Sequence, residues 1–87
     1  MDVVLKVSSK SNPNLVAGAL AGTIRESGKA ELQAIGAGAI NQAIKAVAIT
    51  RSMLAKSEVD LICYPSFEDL TIEEQVRTSI KLVVEPR

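Results

Sequence analysis

Ala34-Ile35-Gly36-Ala37-Gly38-Ala39-Ile40-Asn41-Gln42-Ala43-Ile44-Lys45-Ala46-Val47 carries an apolar strand end through two glycines directly into an amphipathic helix. Upstream, Ala30, Leu32 and Ala34 alternate with Glu31 and Gln33, the period-two pattern of a strand. Downstream, Ile40, Ala43, Ile44, Val47, Arg51 and Leu54 recur at helical spacing and form the expected inner stripe of a helix from Ala39 to Leu54. Asn41, Lys45, Ser52 and Lys56 fall on an outer stripe, polar and basic, in line with the turn. The first amides of a helix have no internal acceptors, and the macrodipole adds partial positive charge there. A strand–glycine–helix junction is therefore receptive to phosphate or another anion.

The flanking segments complete the pattern. Val3, Leu5 and Val7 alternate with Val4, Lys6 and Ser8 as a first strand. After a polar loop, Asn12 is a good N-cap and Pro13 suits the first helical position, where its missing N–H is not needed. Val16, Ala19, Leu20, Thr23, Ile24 and Ser27 then share helical spacing until Gly28 ends the run. Gly18 and Gly22 lie four apart on another face and suggest close approach of the sheet or a neighbouring helix, since each costs about 1 kcal/mol relative to Ala. Val59, Leu61 and Cys63 alternate with Asp60, Ile62 and Tyr64 as a third strand, which Pro65 limits and marks as an edge or bulge. In a fourth strand, Val76 to Glu85, Val76, Thr78, Ile80, Leu82 and Val84 are expected to face the core.

The order is β-α-β-α-β-β. Two crossover helices make the first three strands run one way and a hairpin returns the fourth antiparallel. Each strand has one apolar and one mixed face, so the expected architecture is α+β, a two-layer sandwich with a mixed four-stranded sheet and two helices on one face. Val4, Ile35, Ile62, Tyr64 and Val83 are candidates for an apolar patch on the open face.

A chain of 87 residues suits a single domain, 1–87, with a thin core. Its apolar residues are mostly Ala, Val, Ile and Leu, with one Phe, one Tyr and no Trp, so the layers must pack through small side chains and self-association would bury more. One cysteine, a start (Met1-Asp2-Val3-Val4-Leu5-Lys6) too short and wrongly charged for a signal peptide, and no long apolar run lead us to expect a cytoplasmic protein without membrane attachment. Zero formal net charge conceals a dipole: residues 1–56 carry a surplus of positive charge, whereas Ser57 to Gln75 hold Glu58, Asp60, Glu68, Asp69, Glu73 and Glu74 without one base. Either these are solvated faces, or a basic side meets a polyanion while the acidic side stays away.

Without histidine, and with Cys63 on the inner side of a strand, a nucleophile–His pair or a Cys/His metal site cannot be assembled in one chain. Glu68-Asp69 and Glu73-Glu74 read as exposed residues of the connection between the last two strands rather than an acid/base dyad. No enzyme activity, metal or cofactor is expected. Gly36-Ala37-Gly38 invites comparison with the dinucleotide fingerprint, but Asn41 stands where that motif needs Gly or Ala, and no second mononucleotide-binding half follows. Two readings of the turn stand: the glycines merely permit a tight connection, or the backbone from Gly36 to Asn41, with Lys10, Gln42 and Lys45, grips phosphates.

Several segments together resemble the stage V sporulation protein S family: Leu5-Lys6-Val7-Ser8, Ser11-Asn12-Pro13-Asn14, Val16-Ala17-Gly18-Ala19-Leu20-Ala21-Gly22, Gln33-Ala34-Ile35-Gly36-Ala37-Gly38-Ala39, Asn41-Gln42-Ala43, Lys45-Ala46-Val47-Ala48-Ile49 and Lys81-Leu82-Val83-Val84-Glu85-Pro86-Arg87. The resemblance implies a small bacterial regulator of late endospore development with an Alba-like fold, a nucleic-acid-binding superfamily not known for enzymes. It further implies a homodimer or higher oligomer in which Lys10, Gly36, Ala37, Gly38, Asn41 and Lys45 approach DNA or RNA with weak to moderate affinity. One departure stands out: the hairpin that is basic in Alba carries Glu68, Asp69, Glu73 and Glu74 here, which repel phosphate. The competing expectation is a protein–protein interaction module that uses the acidic hairpin or open sheet face and no nucleic acid.

Overall fold

The computed structural model describes residues 3–87; Met1 and Asp2, the start of the segment read against a signal peptide, lie outside them. Strand β1 (Val4–Val7) leads to helix α1 (Pro13–Ser27), β2 (Ala30–Ala34), helix α2 (Ala37–Ala55), β3 (Leu61–Ile72) and β4 (Gln75–Pro86). The sheet order is β1-β2-β4-β3. β1 and β2 pair parallel, while β4 pairs antiparallel with both β2 and β3. This is the expected mixed sheet, with β4 inserted between strands that share one direction.

Local chemistry accounts for the helix ends. The Asn12 side chain accepts from the Asn14 amide at 2.9 Å, Pro13 takes the first helical position, and Gly28 at φ 79° closes α1 by donating to the Ile24 carbonyl at 2.8 Å. Both helices cover one face of the sheet, where Leu20, Ile24, Val47 and Leu54 meet Val7, Leu32, Leu61, Leu82 and Val84. Burying one such Leu or Val side chain contributes about 1.5–3 kcal/mol.

The inner stripe of α2 is rotated from the expected one. Ala39, Ala43, Ala46, Val47, Thr50 and Leu54 are buried, whereas Ile44 and Arg51 are exposed. The reason is α1, which lies against α2 through Ala17 and Ala21 and draws the small side chains Ala46 and Thr50 inward. The Thr50 hydroxyl sits 2.9 Å from the Ala46 carbonyl and 3.2 Å from the Ala17 carbonyl, shares its one proton between them, and so satisfies a fully buried polar group at the helix contact.

The largest departure is the hairpin. β3 does not stop at Pro65 but runs through it, because β3 is an edge strand and the missing N–H can face outward. β2 ends at the pair Ala34↔Ile80, and beyond it β3 and β4 pair only with each other, from Glu68↔Ser79 to Ile72↔Gln75. Glu68 and Asp69 are therefore strand residues, and the turn is Glu73-Glu74 alone, both at positive φ (51° and 66°). In this arm Val76 and Thr78, expected to face the core, are exposed, while Ser79 is buried and donates to the Glu68 carbonyl at 2.9 Å. Of the expected open-face patch, Val4 and Tyr64 are exposed, Ile35 and Ile62 half-buried and Val83 buried.

Gly18 and Gly22 are also corrected: a Cβ at either would meet nothing within 4 Å, so no element of the chain uses their lack of a side chain. Gly36, in contrast, holds φ 89° and ψ 159°, a region closed to residues with a side chain. Gly18→Ala is expected to raise stability by about 0.5–1 kcal/mol and Gly36→Ala to lower it by about 1–3 kcal/mol, as read from denaturant midpoints of the two variants.

Candidate nucleic-acid interface

The parallel register Val7↔Ala34 brings β1 and β2 to the same end of the sheet, so the Ser8–Asn12 loop and the Gly36 turn leave side by side. The loop is tied internally. The Ser8 amide donates to Ser11 Oγ at 2.9 Å, the Ser11 amide to the Ser8 carbonyl at 3.1 Å, and the Lys10 amide to Ser8 Oγ at 3.2 Å. Two contacts then fasten it to α2. Gln42 Nε2 donates to the Ser11 carbonyl at 2.9 Å, and Gly38 approaches Ser9 so closely that a Cβ on Gly38 would lie 2.9 Å from Ser9 Cβ. Gly38 is thus required by a close approach, a different reason from the backbone conformation that requires Gly36.

The entrance of α2 is open. Gly36, Ala37 and Gly38 are exposed, Gly36 offers no side-chain cap, and the first backbone bond is Ile40 N–H to the Gly36 carbonyl at 3.0 Å. The amides of Ala37, Gly38 and Ala39 find no acceptor among the described residues. Lys10 stands exposed on the adjoining loop. Asn41 and Lys45 are exposed on successive turns of α2, and Lys45 lies about 12 Å along the axis from Ala37 at 1.5 Å per residue. Lys10 and Asn41 therefore flank the turn directly, Lys45 is set back along the helix, and Gln42 is spent on the loop.

A feature that sequence reasoning missed adjoins this entrance. The β3–β4 arm leans across the ends of β2 and β1, held by Gln33 Nε2 donating to Glu68 Oε1 at 2.8 Å. Leu70, Thr71 and Ile72 face Lys6, Ser8 and Ser9 across an open groove of about 550 Å³, with Gln33 and Ile35 lining it from β2 and the residue after it. The only local signal was the alternation of Leu70 and Ile72 with Asp69 and Thr71, hidden behind Pro65 and the acidic residues.

Other titratable groups lie elsewhere. Burial pushes the Cys63 thiol above its ordinary value, which disfavours the nucleophilic thiolate. Tyr64 donates to Glu85 Oε1 at 2.6 Å, a bond to its protonated form that raises its pKa. Asp60, bonded to Arg87 Nε at 2.8 Å and Arg51 Nη2 at 3.0 Å, is held below the usual carboxylate range. Among the described residues no three His, Cys, Asp or Glu side chains gather as a metal site, and no helix is long and apolar enough to cross a membrane.

The family model for stage V sporulation protein S (SpoVS) matches residues 3–87. The chain belongs to that family. SpoVS membership implies a role in sporulation. Among solved structures, Alba from Thermoplasma volcanium superposes with a TM-score of 0.65 at 19% identity, covering 94% of this chain and 98% of that one. At this identity the likeness establishes the fold, which is Alba-like.

The Gly38–Ser9 contact is open to a direct test. Gly38→Val is expected to cost about 1–3 kcal/mol, because Ser9 Cβ must move for the new side chain. The loss should come with faster amide hydrogen exchange at Ser8 and Ser11, whose bonds hold the loop in place.

Proposed function

We propose that this SpoVS-family protein is a noncatalytic, cytoplasmic regulator of late endospore development that acts as one domain and binds nucleic acid. Lys10, Gly36, Ala37, Gly38, Asn41 and Lys45 are its contact residues. The observation that carries this reading is the α2 entrance: the amides of Ala37, Gly38 and Ala39 have no acceptor among the described residues, Ala37 and Gly38 are exposed, and Lys10 and Asn41 are exposed on the adjoining loop and the next turn. Phosphate is the natural occupant of such a turn, since N–H donors and the helix dipole act on it together.

Affinity is weak to moderate for one chain, because Lys10 alone of the two contact lysines adjoins the turn, Lys45 is set back along the helix, and the arm ends in Glu73 and Glu74. A homodimer or higher oligomer multiplies weak sites. Its formation is supported by the apolar surface left uncovered along the edge strand and arm, including Phe67 at 80% and Val76 at 69% exposure. The noncatalytic part is supported by a sequence without histidine whose single thiol, Cys63, is half-buried and shifted by burial away from its thiolate.

Lys10→Glu and Lys45→Glu should each weaken binding of an oligonucleotide and reduce the slope of log affinity against log salt by about 0.7–0.9 per lost phosphate contact. Unchanged affinity in both variants, measured by fluorescence anisotropy over a salt series, places the contact elsewhere.

The same exposed Phe67 and Val76, on an arm whose charges are mostly acidic, favour a second reading: a module that engages a protein partner and no nucleic acid. Co-purification from native extract separates the two. Nuclease-sensitive material supports the first reading, and a nuclease-resistant protein complex the second.

A further inference from the structure

Resting on the phosphate reading above, we infer that the groove beneath the arm seats an unpaired base, so that the ligand is single-stranded nucleic acid rather than a duplex. At about 550 Å³ the groove falls within the range of sites that hold small organic groups, about 300–1,000 Å³. Its long walls are apolar and face each other: Ile35 on the sheet side, Leu70 and Ile72 on the arm. Polar side chains, Lys6, Ser8, Ser9, Gln33 and Thr71, complete the lining and supply partners for the edge of a base. Gln33 spends one amide proton on Glu68 and keeps its second proton and its carbonyl oxygen, and Ser8 and Ser9 stand at the end of the groove. A planar base with apolar faces and a hydrogen-bonding rim matches this lining.

The groove is continuous with the phosphate site. Ser9 lines it and also occupies the space against which Gly38 must have no side chain. One residue thus separates the groove from the open amides of α2, and a nucleotide whose phosphate rests on the turn can direct its base over Ser9 into the groove. Charge selects the same polarity of placement. Glu73 and Glu74 follow Ile72 at the tip and Glu68 and Asp69 stand at the arm's base, so a sugar–phosphate chain is repelled from the arm whereas an uncharged base is not. The backbone then runs on the side of Lys10, with Lys6 at the groove's edge. A base stacked and paired within a duplex cannot enter unless it is extruded.

The test compares three probes on the intact protein by anisotropy: a short mixed-sequence single strand, the same strand with abasic sites in place of its bases, and the annealed duplex. The intact strand should bind best, with the abasic strand weaker by about tenfold, the lower part of the range for one stacked base, and the duplex also weaker. Leu70→Ser combined with Ile72→Ser should bring the intact strand down to the abasic level and leave the abasic strand unchanged. The comparison of probes on the unaltered protein stands even if that variant does not fold. Equal binding of intact and abasic strands overturns the base site but leaves the phosphate reading in place, and assigns the groove to another occupant such as an apolar peptide. Duplex binding as tight as the single strand also overturns it. Binding of none of the three overturns the phosphate reading and this inference together.

Discussion

The contact on which the rest depends is the close approach of Ser9 to Gly38 at the end of a parallel strand pair. A parallel pair joined by a crossover helix sends both following loops out at one end of the sheet. Whether they form a surface depends on how near they come. Here the lack of one Cβ lets the loop lie directly on the first turn of α2, and Gln42 then reaches the Ser11 carbonyl from the next turn. The same geometry leaves the α2 amides open, because the loop meets the helix from the side and Gly36 brings no capping oxygen. The positive φ of Gly36 excludes a capping serine or aspartate at that position, so the backbone conformation itself keeps a side-chain oxygen out of the site.

Small side chains carry this economy through the core. α1 and α2 lie against each other with Ala17, Ala21, Ala43 and Ala46 buried and the Thr50 hydroxyl bridging them to the Ala17 carbonyl, so two helices fit over a narrow four-stranded sheet. The consequence is a molecule with little interior to spare. Large apolar residues that a bigger core would absorb remain outside: Ile44 on α2, Tyr64 and Phe67 on the edge strand, Val76 on the arm. Leu15 and Gly18 of α1 are exposed in the same sense, and neither Gly18 nor the half-buried Gly22 has a neighbour that needs its missing side chain. Burial in an assembly is the physical route by which such surface gains stability.

The first half of the fold was legible because its signals are local. Asn12-Pro13 starts a helix, Gly28 ends it, period two changes to 3.6 at Gly36, and each follows from backbone chemistry within a few residues. The inner stripe of α2 was read one step out of phase at Ile44 and Arg51, since hydropathy alone cannot show that a second helix will call small residues inward. The arm was illegible for two reasons. Pro65 correctly marks an edge strand but also reads as limiting it, and Glu73-Glu74 lacks the Asn-Gly or Asp-Gly signature of a two-residue turn even though both residues adopt its positive φ. Each L-residue in that conformation costs about 1–2 kcal/mol, a cost that the ladder from Glu68↔Ser79 to Ile72↔Gln75 must offset. The glycine turn could be read as anion-receptive from sequence; the groove beside it could not, because it exists only once the arm leans over and Gln33 meets Glu68.

That lean also settles how an acidic arm and an anion-receptive turn coexist in one small molecule. Ile72 and Ser8 line the same groove, so the Glu73-Glu74 tip lies on the side of the molecule that carries the Lys10 loop. The fields of the acidic tip and of the basic loop therefore act on the same side of the molecule. They oppose, and the net long-range pull on a polyanion is small. On the proposed phosphate reading, recognition falls to short-range donors fixed in place by the backbone, which favour a phosphate that can be approached from one side only. A duplex presents two backbones, and fitting one onto the turn drives the other toward the acidic tip. A single strand has one backbone to place and can keep it clear of the carboxylates. On the proposed single-strand reading, the acidic residues act by exclusion, narrowing the set of ligands the open turn accepts.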